Sequence, residues 1–178
     1  MFIGTSYLFR ILYFLTSMMP AYVIFILQLK INGLVCCGLI IMICTLEYVA
    51  GFFIRSMIIK RSKNAVNKIA QVYIKSKNGN VLTFVFGVII PSILFPDNAS
   101  NIKLILIQVG IQIMLFIVMQ KSSDIIPNIV LILEGVAIYT TKDGNYIISL
   151  DDIKNGIKVR MYRLGDTERA KIFIGKGA

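Results

Sequence analysis

The chain contains no histidine and no tryptophan, only three cysteines and four prolines, and nine acidic residues against nineteen basic ones. Without histidine there can be no Ser–His or Cys–His pair, no imidazole general base and no imidazole-bound metal. Three cysteines are too few for the disulfide framework of a small secreted scaffold. Charge is scarce, at 16% of 178 residues, where soluble domains carry about 25%. The hydrophobic set makes up 57% of the chain and mean hydropathy is +0.78, which excludes a disordered polymer. What remains is a small integral membrane protein of formal net charge +10.

Crossing about 30 Å of hydrocarbon takes roughly 20 mostly apolar residues in a helix. Four stretches meet or approach this: about Tyr7 to Leu29, Leu34 to Ile59, Val81 to Phe95, and Ile102 to Met119. The third is short, contains Pro91, and lies between the turn signals Asn78-Gly79-Asn80 and Pro96-Asp97-Asn98. It must recruit flanking residues, thin the bilayer or re-enter. The expected fold is therefore membrane α-helical, with four transmembrane helices over residues 1–120 and a small C-terminal cytoplasmic β-rich domain over 121–178.

Lysine and arginine set the orientation. The connection between spans two and three, residues 60–79, carries Lys60, Arg61, Lys63, Lys68, Lys75 and Lys77 with no acid, while the other loops hold only Lys30, Asp97 and Lys103. This places the basic loop in the cytoplasm and, with four crossings, both termini with it. The first apolar run is too long for a signal peptide and no positive charge precedes it, so it is expected to stay as the first span. Cys36, Cys37 and Cys44 fall in span two, where a thiol acts as a small apolar group.

The basic loop carries a second pattern. Val66, Ile69, Ala70, Tyr73 and Ile74 recur at helical spacing among its lysines, which predicts an amphipathic helix lying on anionic inner-leaflet lipid. The plainer alternative is that these lysines only fix topology. No arginine-rich or aromatic stacking pattern accompanies them, so direct contact with nucleic acid is not expected.

Residues 121–178 hold nine basic and seven acidic residues, so most of the net charge lies earlier in the chain. Ile125 to Leu133 is apolar but too short to span, and reads as a tether into a strand. Val136 to Thr140 and Tyr146 to Leu150 are β-branched and aromatic runs separated by a segment containing Asp143-Gly144, a strong hairpin signal. Ile157, Val159 and Met161 alternate with Lys158, Arg160 and Tyr162 as in a half-buried strand, and Ala170 to Ile174 supplies a last one. So small a sheet must lean on the helices, on other copies or on a partner.

Glu47 is the sharpest single residue. It lies near the middle of span two, where a carboxylate costs about 2.5–3.5 kcal/mol on insertion scales and so usually has a partner or a task. It reads either as a protonatable switch in a wet cavity or as a hydrogen-bonded carboxyl that joins helices. It is expected to face the bundle or oligomer interior. Arg10 is a candidate counter-charge, as are the amides of Gln108 and Gln112, whose spacing puts both on one face of span four. In the tail, Asp151-Asp152 reads as a turn start, not a metal pair. Gly165-Asp166 and Gly175-Lys176-Gly177 are no phosphate loop. Arg160, Tyr162 and Arg163 are candidates for docking a partner. Neither catalysis nor a cofactor is expected.

Two segments carry a resemblance. One is the basic stretch followed by Asn80-Val81-Leu82-Thr83-Phe84-Val85-Phe86 and the proline after it. The other runs from Pro127-Asn128 through Leu131 and Gly135 to Ile138-Tyr139 and Tyr146-Ile147-Ile148-Ser149. Together they resemble KwaA, the membrane-subunit family of the bacterial Kiwa anti-phage defence system. Gly135-Val136 stands where that pattern has Gly-Tyr, a departure that disturbs no site. The resemblance implies an inner-membrane sensor or scaffold that assembles as a homo-oligomer, with a tetramer favoured. It also implies a cytoplasmic DNA-binding effector subunit, KwaB-like, as partner. A pore-forming or membrane-depolarising effector is the alternative. Transport of a small solute is weaker, since no inverted repeat is visible.

Overall fold

The computed structural model describes residues 5–64, 68–93, 100–121, 125–164 and 171–177. Helices α1 (Tyr7–Ser17) and α2 (Met19–Gln28) replace the continuous first span expected from hydropathy, meeting at a bend of 49°. Pro20, at the start of α2, has no N–H to give to the preceding turn, and its ring displaces the carbonyl four residues back. The Thr16 and Ser17 hydroxyls, which donate to Leu12, Tyr13 and Phe14 carbonyls, keep the polar groups at the bend satisfied.

Helix α3 (Gly33–Asn64) is long and unbroken. The third apolar stretch forms α4 (Val81–Phe84), a π-helical turn (Val85–Ile89) and α5 (Ile90–Ile93). Pro91 offers no amide to Gly87, and the turn before it widens. Residues 94–99 lie outside the described part. Helix α6 (Asn101–Lys121) follows. Among the described residues, α3 over Gly33–Lys60 and α6 are each long and apolar enough to cross a membrane, and the bent α1–α2 pair makes a third candidate. The side chain of Asn101 brackets Lys30, accepting from its amide and donating to its carbonyl. That joins the start of α6 to the α2–α3 turn, at the end of α3 remote from the sheet.

The sheet departs most from expectation. Residues 68–77 are not an amphipathic helix. They form strands β1 (Lys68–Gln71) and β2 (Ile74–Lys77), and the tail supplies β3 (Ala137–Thr141), β4 (Tyr146–Ser149), β5 (Lys158–Arg163) and β6 (Ile172–Gly177). The order is β1-β5-β6-β4-β3-β2, antiparallel except for the β4–β6 pair. A short α7 (Ile129–Leu133) precedes β3. The helical reading failed because backbone pairing outweighs a weak apolar period in so short a segment.

The two edge strands are consecutive, separated only by Val72 and Tyr73. The Val72 amide donates to Ile157, its carbonyl accepts from Gly156, and the Tyr73 carbonyl accepts from Lys142. One bent strand therefore pairs with β5 along its first half and β3 along its second, curling the sheet into a partly open, five-stranded Greek-key barrel of the OB architecture. Membrane-type helices are inserted between its first and second strands. Val72, Tyr139, Ile147, Ile153 and Val159 fill its interior. Gly175 faces the same space, where an added Cβ would lie 2.5 Å from Ile147 Cγ2. The opposite face, including Ile138, Ile148, Tyr162 and Ile174, joins a single apolar cluster with Ile54, Ile58 and Leu131. The barrel thus leans on the helices, and β4 is buried on both faces.

Candidate functional site at the bundle–barrel junction

Helix α7 is the strut between the two layers. Asn128 caps it, accepting the Leu131 amide at 3.1 Å. The same side chain, itself buried, donates to the Thr16 hydroxyl at 2.7 Å and the Tyr13 carbonyl at 3.2 Å, at the α1–α2 bend. Tyr13 returns a bond from its hydroxyl to the Ile126 carbonyl at 2.9 Å. At the far end of α7, Glu134 meets Arg55 of α3 at 3.5 Å; the Glu134 side chain is 2% exposed and that of Arg55 40%. Arg55 Nε and Glu134 Oε1 are buried with no hydrogen-bond partner among the described residues. Between the two ends Gly51 lets α7 approach α3 so closely that an added Cβ would stand 2.6 Å from Val130 Cγ1. Gly135, at φ +74, then turns the chain into β3.

Among the described residues no hydrogen bond joins Glu47, Arg10, Gln108 and Gln112 to one another. Glu47 is buried, 9% exposed, with Oε2 lacking a hydrogen-bond partner among the described residues. Arg10 is held by Thr5, through its hydroxyl at 3.3 Å and carbonyl at 3.0 Å. Gln108 and Gln112 share a face of α6 and line a crevice of about 460 Å³ with Tyr22 and Ile26 of α2 and Leu39 and Ile43 of α3. Both polar atoms of Gln108, and Oε1 of Gln112, are buried without partners among the described residues.

On the barrel, Lys77 is ion-paired to Asp152 at 2.8 Å, and the Tyr139 hydroxyl donates to the same carboxylate oxygen at 2.8 Å. The hydrogen bond from Lys77, then that from Tyr139, holds the Asp152 carboxyl below the usual carboxylate range. The Asp152 bond correspondingly raises the Lys77 ammonium. Tyr139 is raised chiefly by burial. Arg160 and Arg163 are exposed along β5, the latter with its guanidinium 5.9 Å from the centre of the Phe173 ring. Tyr162, expected to help dock a partner, is instead buried on the barrel face that packs against the helices. Lys60 is exposed at the end of α3, and Lys75 is exposed on β2. Arg61 and Lys63 continue the backbone of α3, and Lys68 opens β1. No group of three metal-ligating side chains occurs among the described residues.

Sequence reasoning missed Asn128 and Glu134 as contact residues and Gly51 as a packing notch. An asparagine directly before an apolar run is an N-cap signal and could have marked the first. The partners of the other two are remote in sequence.

The architecture defines a class: a small protein of apolar, membrane-length helices whose inter-helix connection completes a barrel built by its tail. The chain belongs to the KwaA anti-phage protein family, whose family model matches residues 9–168. No curated protein matches it and no solved structure does.

Proposed function

We propose that this protein is the membrane-embedded sensing subunit of an anti-phage complex. It crosses the bacterial inner membrane four times with both termini inside and assembles as a homo-oligomer. It relays a disturbance of the bilayer to a cytoplasmic effector docked on the barrel, the partner that the family resemblance implies. The role is non-catalytic and needs no cofactor. One observation carries this reading: the connection between α3 and α4 forms both edges of the sheet that the tail completes. A shift of α3 or α4 therefore pulls on the barrel directly, and α7 adds a link to the α1–α2 bend. The long, under-bonded Arg55–Glu134 contact suits a junction that rearranges, because a partly satisfied buried pair gains little from staying as it is.

The test is co-purification of the tagged full-length chain with a co-expressed KwaB-like effector, combined with phage challenge. Arg160→Glu with Arg163→Glu should abolish both co-purification and protection while the membrane level stays normal. Retained co-purification would overturn docking at β5. A second reading, a gated pore, is favoured by the partnerless buried atoms of Glu47, Gln108 and Gln112. It requires planar-bilayer conductance that disappears in Glu47→Ala.

A further inference from the structure

The first turn of α4 overhangs the outer face of β2 and β3, leaving a cavity of about 570 Å³. Its barrel side presents Lys75, Ser76, Thr140 and Lys142, and its helix side Val81 and Leu82. Among the described residues neither lysine is ion-paired and no carboxylate lines the cavity. Asp143, next to Lys142, is exposed and is not a lining residue. Val81 and Leu82 are 68% and 64% exposed, an apolar step lining the same cavity as the two lysines. Gly79, at φ +78, fixes this overhang: its Cα lies so close to the Ile125 backbone that a Cβ would stand 2.4 Å from the carbonyl oxygen.

We infer that this cavity binds one anionic phospholipid, its phosphate between Lys75 and Lys142 with the hydroxyls of Ser76 and Thr140 as further donors, and an acyl chain along Val81 and Leu82. Ammonium and hydroxyl donors facing a cavity with no acid among its described lining residues are the chemistry that recognises a phosphate. A soluble phosphate would use the same donors, but it has no use for the apolar step. The site sits where β2 becomes α4, so an occupant would touch barrel and helix at once. This inference rests on the proposed membrane placement of α4 but not on any effector.

Native mass spectrometry of the full-length protein in a neutral detergent tests it. Short-chain phosphatidylglycerol should remain bound at least several-fold more than phosphatidylcholine of the same chain length. Lys75→Gln with Lys142→Gln should reduce it to the phosphatidylcholine level, whereas Lys158→Gln with Lys171→Gln should not. Val81→Ser with Leu82→Ser should weaken the lipid while leaving inorganic phosphate unaffected. Equal retention in the Lys75/Lys142 variant overturns the site. Inorganic phosphate or glycerophosphoglycerol displacing the lipid at equal concentration overturns the lipid assignment. A normal lipid result beside failed effector co-purification would discard the proposed relay and leave this site standing.

Discussion

Asn128 donates its side-chain amide to the Thr16 hydroxyl across 2.7 Å, at the bend between α1 and α2. The same amide reaches the Tyr13 carbonyl, and its oxygen caps α7. One buried side chain thus ties a bent apolar helix pair to the segment entering the barrel. Buried donors and acceptors must be paired, so the bend and the strut are expected to move together.

Removing that side chain should cost more than a cap alone. Asn128→Ala loses the cap and strands the Thr16 and Tyr13 acceptors, for about 1–3 kcal/mol. Asn128→Asp keeps the capping oxygen but turns an uncompensated buried carboxylate oxygen toward the Tyr13 carbonyl, and should be at least as destabilised as the alanine variant. Thermal unfolding in detergent gives the ranking. Equal melting of the alanine and parent proteins would show the bond to be incidental.

The Arg55–Glu134 contact predicts an asymmetry. Arg55→Ala leaves a carboxylate buried without its counter-charge, whereas Glu134→Gln leaves a neutral amide beside a half-exposed guanidinium that water can solvate. The arginine variant should be the less stable by about 1–3 kcal/mol, below the figure for fully buried pairs because Arg55 is partly solvated. Denaturant midpoints of the two single variants and the double variant measure this, and a reversed order would sink it.

The helices were legible because a long apolar run of membrane-crossing length is a local signal that needs no partner. Tyr146-Ile147-Ile148, flanked by Asp143-Gly144, was legible as a strand for a similar local reason. The fate of residues 68–77 was not. A four-residue strand has too few side chains to establish a period, and its identity comes from β3 and β5, both far along the chain. The bend was written in Pro20 but masked by continuous hydropathy around it. Gly51 shows the limit most plainly: its meaning lies wholly in Val130, which no spacing rule connects to it.

Acid should reveal the Asp152 network. A carboxyl whose pKa is lowered on folding contributes stability above its unfolded value of about 3.9. That contribution is lost as pH falls through the lower folded value. Lys77 has the opposite sense: raised on folding, its share is present below about 10.4 and is lost as pH rises through the folded value. Between these limits both persist. Asp152→Asn should flatten the acid limb of the stability profile relative to the parent. Because both side chains are exposed, salt on the order of 1 M should shrink the difference. Superimposable acid limbs at low salt would remove the network from any account of stability.

The Gly51 notch gives the most direct test of mechanical linkage. A methyl group at position 51 must displace Val130 or push α7 away from α3, since its Cβ would begin 2.6 Å from Val130 Cγ1. Gly51→Ala should raise the intrinsic helix propensity of α3 by about 1 kcal/mol, yet lower protection against phage at an unchanged membrane level. Adding Val130→Ala removes the obstructing methyl groups and should recover much of that protection, although it deletes buried apolar volume of its own. Such recovery is a coupling between two contacting sites that independent defects cannot produce. Efficiency of plating for the parent, both single variants and the double variant reads it directly. If the losses simply add, α3 and α7 do not act through this contact, and the relay must run through β1 and β2 alone.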